Sequence, residues 1–364
     1  MNRTAGIFST ALVVALVSLA RGADVVSVWG GARGTIILKS DGTVWTWGAN
    51  FNGKLGVGIG PSTLNHSLVP VEVHGVVNVG YLNSISAVMG GEIHNVALKS
   101  DGTVWAWGWN FFGQLGNGTT NDAYSPVQTG LGAVPPLTSV IKLGGRPYFT
   151  IAVKSDGTIW SWGMNQYGQM GNGTVNSQSG PQVTVPVQVS NSSAGGAINQ
   201  PLQVTCGYQF GAAISTNGTV WTWGSGTHGE RGTGVAAVGY TPAQVPGLTN
   251  ITAISAGWFH ILALKSDGTV WNWGNNSNGE LGDGTTFNRS NAVQVLNISN
   301  IVAVSGGDSH SSALDADGGM EVGLERCRRV GKWDGQSRSQ PRARKNPRGQ
   351  FWRWLQQCRH DGRA

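Results

Sequence analysis

"LKSDGTVWAWGWNFFGQLGNG", Leu98 to Gly118, decides the fold, because the chain writes it four more times with few changes. The copies are "LKSDGTVWTWGANFNGKLGVG" from Leu38, "VKSDGTIWSWGMNQYGQMGNG" from Val153, "ISTNGTVWTWGSGTHGERGTG" from Ile214 and "LKSDGTVWNWGNNSNGELGDG" from Leu264. Their first tryptophans, Trp45, Trp105, Trp160, Trp221 and Trp271, stand 60, 55, 61 and 50 residues apart. A period of that size belongs to a whole supersecondary unit rather than to a short motif.

Each copy parses by turn and strand chemistry. An apolar segment such as "ITAISAGWFHILALK" (Ile251 to Lys265) reads as strands, and Ser-Asp-Gly or Thr-Asn-Gly then supplies a tight turn, since Gly, Asn and Asp tolerate positive φ. In the next strand, T-V-W-x-W-G, alternation puts Thr43, Trp45 and Trp47 on one face and Val44 and Thr46 on the other. Both faces suit burial, as a sheet sandwiched between neighbours requires. "SPVQT" (Ser125 to Thr129) fits an edge strand, where the missing N–H of proline is tolerated. Several short strands per unit, repeated around Trp and Gly, predict an all-β propeller; most β-solenoids have much shorter coils.

The extended copy "GGEIHNVALKSDGTVWAWGWNFFGQLGNG" (Gly90 to Gly118) resembles the regulator of chromosome condensation repeats. The hallmarks of that family are an A/G-G-x-x-H-x-x-A-L strand, D-G-x-V-x-x-W-G and N-x-x-G-Q-L-G. The resemblance runs from about Val25 to Gly318. It implies a seven-bladed propeller, usually closed by a blade shared between the chain ends, that acts most often as a protein-binding platform. As written, the chain supplies five regular repeats and an interrupted sixth, which leaves the propeller incomplete.

Composition agrees with such a body: 57 glycines and 16 tryptophans among 364 residues, with only 12% charged. The net charge of +6 is confined to one end. From Gly319 onward there are 12 Lys/Arg against 4 Asp/Glu, whereas the first 318 residues carry 12 against 14. A nearly neutral body has no stripe to neutralise phosphates, which argues against nucleic acid as a partner. Of the three cysteines only Cys206 lies in the body, so neither an internal disulfide nor a cysteine-based zinc site is expected there.

The chain reads as three segments. Residues 1–22 have Arg3, an apolar run from Ile7 to Ala20 and small residues suited to cleavage after Ala20 or Gly22, the pattern of a secretory signal peptide. Residues 24–318 are the propeller repeats, and no membrane-spanning segment is expected after cleavage. Residues 319–364 form a basic tail that reads as out-of-frame translation of repeats six and seven. "IVAVSGGDSHSSALDADG" (Ile301 to Gly318) opens a regular sixth copy, whose Trp is due near position 321, yet "GMEVGLERCRRVGKWDG" follows. One base later, the genetic code forces Met320–Glu321 to give Trp and Trp333–Asp334 to give Gly. With permitted choices elsewhere the shifted reading is V-W-K-W-G-W-N-G-V-G-E-L-G-N-G-T, the missing repeat.

The recurring residues read as architecture. Trp45, Trp47, Trp105, Trp107, Trp160, Trp162, Trp221, Trp223, Trp271 and Trp273 are core positions of the repeat. His94, His260 and His310 share one position, held by Gly34, Phe149 and Phe210 elsewhere, and a histidine that interchanges with Phe is a packing residue rather than a catalyst or ligand. Asp41, Asp101, Asp156 and Asp267 are turn residues. The Asn-Gly-Thr sequons at Asn117, Asn172 and Asn217 follow from the same turn chemistry. No catalytic residue, cofactor or metal is expected.

Recognition is expected where the units vary most, between W-G-x-N and the next Gly: Phe51, Phe111, Phe112, Tyr167 and His228. The reading is an exported, non-enzymatic scaffold that binds an as yet unidentified protein or cell-surface polymer. Export is compatible with this architecture, since the family includes a secreted bacterial inhibitor of β-lactamases. The alternatives are nucleotide exchange on a small GTPase, as in the family founder, which conflicts with a signal peptide, and a propeller glycosidase or lyase, for which no unit carries distinctive carboxylates.

Overall fold

The computed structural model describes residues 23–31, 33–131, 137–146, 148–177, 180–190, 198–317 and 320–323. The expected signal peptide, and the tail beyond Gly323, lie outside the described residues. Five consecutive units each form a four-stranded antiparallel sheet in chain order, A to D. The first holds β1 (Val25–Gly31), β2 (Gly34–Lys39), β3 (Val44–Ala49) and β4 (His66–Glu72). The second holds β5 (Ile85–Gly90), β6 (His94–Lys99), β7 (Val104–Gly108) and β8 (Ala123–Gln128), and the third β9 (Val140–Arg146), β10 (Phe149–Lys154), β11 (Ile159–Gly163) and β12 (Val183–Gln188). The fourth comprises β13 (Pro201–Cys206), β14 (Phe210–Ser215), β15 (Val220–Gly224) and β16 (Gly239–Gln244); the fifth, β17 (Ile251–Ala256), β18 (His260–Lys265), β19 (Val270–Gly274) and β20 (Arg289–Gln294). A sixth sheet has three strands, β21 (Ile301–Gly306), β22 (Ser311–Asp315) and β23 (Met320–Gly323). These are propeller blades, and the described residues supply six of the seven that the resemblance implies.

The B–C turn is built alike in the regular blades. In the first, Gly42 takes φ 79°, and Asp41 Oδ1 accepts from Thr43 N and Thr43 Oγ1 at 3.0 and 2.7 Å. Thr43 Oγ1 then accepts from Trp45 Nε1, and the Lys39 ammonium lies 4.3 Å from the Trp45 ring centroid. These two hydrogen bonds from Thr43 hold the Asp41 carboxyl below its ordinary range. Asp101, Asp156 and Asp267 repeat the arrangement with Thr103, Thr158 and Thr269. The first tryptophan of each pair thus belongs to its own hairpin.

The second tryptophan belongs to the seam between blades. Trp107, Trp162, Trp223 and Trp273 are fully buried. Their Nε1 atoms donate to the preceding blade: Trp107 to Lys54 O at 3.1 Å, Trp162 to Gln114 O at 2.9 Å, Trp223 to Gln169 O and Trp273 to Glu230 O, both at 2.8 Å. Those carbonyls lie in the G-x-L-G-like turn after strand C. The closing glycine of that turn has a steric reason besides its positive φ. A Cβ on Gly171, at φ 64°, would stand 2.8 Å from Trp223 Cδ1. Around each indole the two sheets bury one apolar core, such as Ile36, Leu38 and Val44 of the first blade with Val88, Ala97 and Trp107 of the second. Equivalent cores join every later pair of neighbours through the fifth and sixth blades.

Histidines at the head of strand B complete two seams. His94 and His260 are buried. His94 Nε2 lies 3.2 Å from Thr150 Oγ1, and His260 Nε2 lies 3.1 Å from Ser311 Oγ, each in the next blade. The hydroxyl protons are committed to Gln114 O and Glu280 O, so the imidazoles are the donors. Burial pulls His260 down to about pKa 3, reinforced by the positive charge of Arg146.

The two ends of the array differ from its middle. Extended strand packing links each blade to its successor, but among the described residues none links the sixth sheet to the first. Trp47, at the free end, is only half-buried. In the sixth sheet Glu321 pairs with Ala313, the register at which Ala97, Ala152, Ala213 and Ala263 face Trp105, Trp160, Trp221 and Trp271.

Two predictions follow from the seams. Trp223→Phe removes the indole N–H, stranding Gln169 O, and leaves space where the larger ring stood, so urea unfolding should show a loss of about 1–3 kcal/mol. Trp47→Phe, whose indole has no acceptor in another blade among the described residues, should cost under about 0.5 kcal/mol; equal losses would contradict the seam account. For His260 the folded pKa lies below the ordinary value, so its contribution is complete above about pH 6.5 and is lost as pH falls toward 3. His260→Phe, the residue that stands at the equivalent Phe149 and Phe210, should flatten the fall in melting temperature over that window.

Candidate binding face

Antiparallel order sends the A–B and C–D loops of every blade to the same side of the propeller, and the B–C turns to the other. The C–D loops are held from within. In the second blade Asn110 Oδ1 accepts from Leu115 N, while its Nδ2 donates to Thr119 O and Asn121 O. Gln114 Oε1 accepts from Phe112 N, and Gly113 takes φ 78° to turn the chain back. Asn165 with Gln169, and Asn276 with Glu280, repeat this frame. Variable side chains project from this frame in blades two, three and five; in the fourth Gly226 replaces the Asn and Glu230 keeps its part, accepting from His228 N.

Those side chains form a belt. Phe111, 60% exposed, stacks on Trp109 with centroids 5.9 Å apart and planes 9° from parallel. Phe112 meets Trp109 edge-on, and both rings touch Tyr148 of the third blade, at 5.2 and 5.8 Å. Tyr148 touches Tyr208 of the fourth blade at 5.0 Å, and Tyr208 touches Trp258 and Phe259 of the fifth at 5.3 and 5.4 Å. His228 closes on Phe259 at 5.2 Å. Backbone bonds fix this order, since Tyr208 N donates to Trp258 O and Trp258 N to Asp308 O. The belt thus crosses four blades.

Of the residues expected to recognise a partner, Phe111, Phe112 and His228 come together here. Phe51 lies apart, 44% exposed, with the Arg33 guanidinium 5.8 Å from its ring centroid. Tyr167 is half-buried and makes no ring contact among the described residues. Trp109, Tyr148, Tyr208, Trp258 and Phe259 were missed. All but Trp109 sit just before the His/Phe position of strand B, and the signal was the aromatic content of "RPYF", "GYQF" and "GWFH". These short A–B turns read as connections because the repeat pattern leaves them blank.

Beside the belt lies a cluster of balanced charge. Arg146 Nη2 donates across the ring to Ala256 O at 2.7 Å and Gly306 O at 2.8 Å, and Nη1 lies 3.6 Å from Asp308 Oδ1. Lys54 Nζ donates to Glu92 O at 2.6 Å, and burial brings its pKa down to about 8. Burial raises the Glu92 carboxyl, aided by Asp308 and opposed by Arg146 and Lys54. Burial likewise raises the thiol of Cys206, a free cysteine. Arg146 is a strut between blades three, five and six rather than a free cation. His228 Nδ1 lies 3.0 Å from the buried Glu230 carboxylate, which also accepts from His228 N. Among the described residues no three His, Cys, Asp or Glu side chains converge to hold a metal.

Comparison with known proteins places this geometry. The RCC1-like domain matches residues 85–352, and the regulator of chromosome condensation (RCC1) repeat matches residues 41–98. The chain is 30% identical over 241 residues to the human E3 ubiquitin-protein ligase HERC2, covering 65% of this chain and 5% of that protein. It is 29% identical over 230 residues to the ultraviolet-B receptor UVR8 of Arabidopsis thaliana, covering 62% and 48%. The chain thus spans half or less of these relatives. Human WBSCR16 superposes with a TM-score of 0.68 at 25% identity, covering 79% of this chain and 71% of that one. Yeast RCC1 (Prp20), solved bound to Kap60, superposes at 0.66 with 20% identity, covering 82% and 69%.

Proposed function

The chain belongs to the RCC1-like propeller family, generally a protein-binding scaffold, and from that premise we propose that it is an exported, non-catalytic scaffold that binds its partner through the aromatic belt. The observation that carries this reading is the continuous run of rings from Trp109 to His228 across four blades, with backbone bonds tying the A–B loops of blades four, five and six. Aromatic side chains are enriched at the buried centres of interfaces, and this belt is backed by rigid sheet. Arg146 and Glu230 serve architecture. Export rests on Arg3, the apolar run from Ile7 to Ala20 and the small residues that follow it. Among the described residues no helix is long and apolar enough to cross a membrane.

The frame from about Gly319 belongs to the same proposal. Glu321 stands at the register of a blade tryptophan, and one base over the codons restore Trp there. Resequencing tests this: the account expects a shifted frame, and an intact frame with the basic tail expressed would overturn it.

The functional test combines fractionation with site-specific photo-crosslinking. Mature protein should be recovered outside the cytoplasm, beginning at Arg21 or Ala23. A crosslinker at Phe111 should capture the partner, and one at Ser266, on the opposite face, should not. Cytoplasmic protein retaining residues 1–22, or capture from Ser266 alone, would refute the reading.

A further inference from the structure

We propose that Arg231, on the C–D loop of the fourth blade, is an anchor for a carboxylate of a protein partner. It lies apart from the aromatic belt and does not depend on it. Three positions here depart together from the repeat. Asn50, Asn110, Asn165 and Asn276 cap their loops from within, and the residue five positions on, Leu55, Leu115, Met170 or Leu281, is buried in the core. The fourth blade has Gly226 and Arg231 instead. The third departure is Gly239, which pairs with Gly224, whereas Ser67, Ala123, Val183 and Arg289 pair with the corresponding glycines of the other blades. Both glycines make room for the arginine. A Cβ on Gly226 would stand 3.0 Å from Arg231 Cγ and Cδ, and one on Gly239 would stand 2.2 Å from Cζ.

The guanidinium placed in this way lacks a counter-charge. Among the described residues it donates only from Nη1 to Ala237 O, at 3.5 Å, whereas Asn110 Nδ2 reaches its loop carbonyls at 2.9 and 3.0 Å. Burial lowers the pKa of the group, and no carboxylate among the described residues offsets that. Arg146 and Arg289 differ in this respect: the first meets Asp308, and the second donates from Nε to Asp283 Oδ2 at 2.7 Å. The counterpart of Asp283 in the fourth blade is Thr233, whose hydroxyl has no partner. Where the fifth blade builds a carboxylate into the loop, the fourth offers donors alone. A part-buried cation without an anion is costly, and a guanidinium takes a carboxylate through two parallel bonds. Nε is sealed, but the contact between Nη1 and Ala237 O is exposed, so the terminal nitrogens are the side a ligand meets. Val235, 58% exposed, and the exposed Ala236 and Ala237 give the site an apolar border, which favours an acidic side chain of a protein over an acidic sugar.

The experiment is NMR titration of the full chain, read at the Nε–Hε resonance of Arg231 and the backbone amides of Ala237 and Gly239. The probes are sodium acetate, a blocked Val-Glu-Val tripeptide, trigalacturonate and, at matched ionic strength, sodium chloride. Acetate should shift these signals saturably, with half-saturation at about 10–50 mM. The tripeptide should need at least about threefold less, and trigalacturonate no less than acetate per carboxylate. The Arg289 resonance, from a guanidinium already paired, should stay still. Gly226→Asn combined with Arg231→Leu restores the pair of the other blades; it should keep the melting temperature and abolish the shifts at Ala237 and Gly239. Arg231→Lys, which keeps the charge without the fork, should weaken acetate about fivefold. Shifts that chloride reproduces or that survive the double variant, undiminished acetate affinity in Arg231→Lys, or preference for trigalacturonate over the tripeptide would overturn the proposal.

Discussion

The hydrogen bond from the second tryptophan of each blade to a carbonyl of the blade before it is the constraint on which the rest depends. A single such bond contributes only about 0.5–1.5 kcal/mol net. Its weight lies in geometry. Trp107, Trp162, Trp223 and Trp273 are buried, their polar edges must find an acceptor, and one carbonyl at a fixed point of the G-x-L-G-like turn provides it. That requirement sets the distance between blades, demands the glycine beside the indole, and orders the C–D loop through its Asn and Gln or Glu. Stability in such an array accumulates from each blade and each interface with its neighbour.

The aromatic belt is a by-product of the same seams. Once neighbouring blades are locked, their A–B loops fall side by side, and Tyr148, Tyr208 and Trp258 meet although they are far apart in sequence. Arg146 adds a tie that skips neighbours, joining strand β9 to the carbonyls of Ala256 and Gly306. The belt is therefore held in shape by the blades beneath it. The ends of the array lack this reinforcement: among the described residues no blade stands before Trp47, and the sixth sheet carries Glu321 at a tryptophan register.

The architecture was legible because its determinants are local and repeated. Turn glycines, the Thr-Val-Trp-x-Trp-Gly strand and the edge prolines announce strands, turns and period by residue type alone, whereas the interchange of His260 with Phe149 and Phe210 gave no sign of the hydrogen bonds that His94 and His260 make to the next blade. What recurrence could not show is which tryptophan ties which blades, since the two in each pair look equivalent in sequence and part only in burial and acceptor. The belt was half legible. Phe111, Phe112 and His228 stood out as variable loop residues, whereas Tyr148, Tyr208, Trp258 and Phe259 lie in turns of two or three residues and gain meaning only when the ring places them together. Phe51 and Tyr167 satisfied the same sequence criterion, yet neither joins the ring contacts of the belt.

The most direct test is hydrogen exchange of the indole N–H groups by NMR, with each tryptophan assigned by substitution. The account predicts that Trp107, Trp162, Trp223 and Trp273 exchange slowly, near the rate of global unfolding, while Trp47 and the hairpin set led by Trp105 and Trp271 exchange at least about a hundredfold faster. Comparable protection of Trp47, or rapid exchange at Trp162 and Trp223, would contradict it.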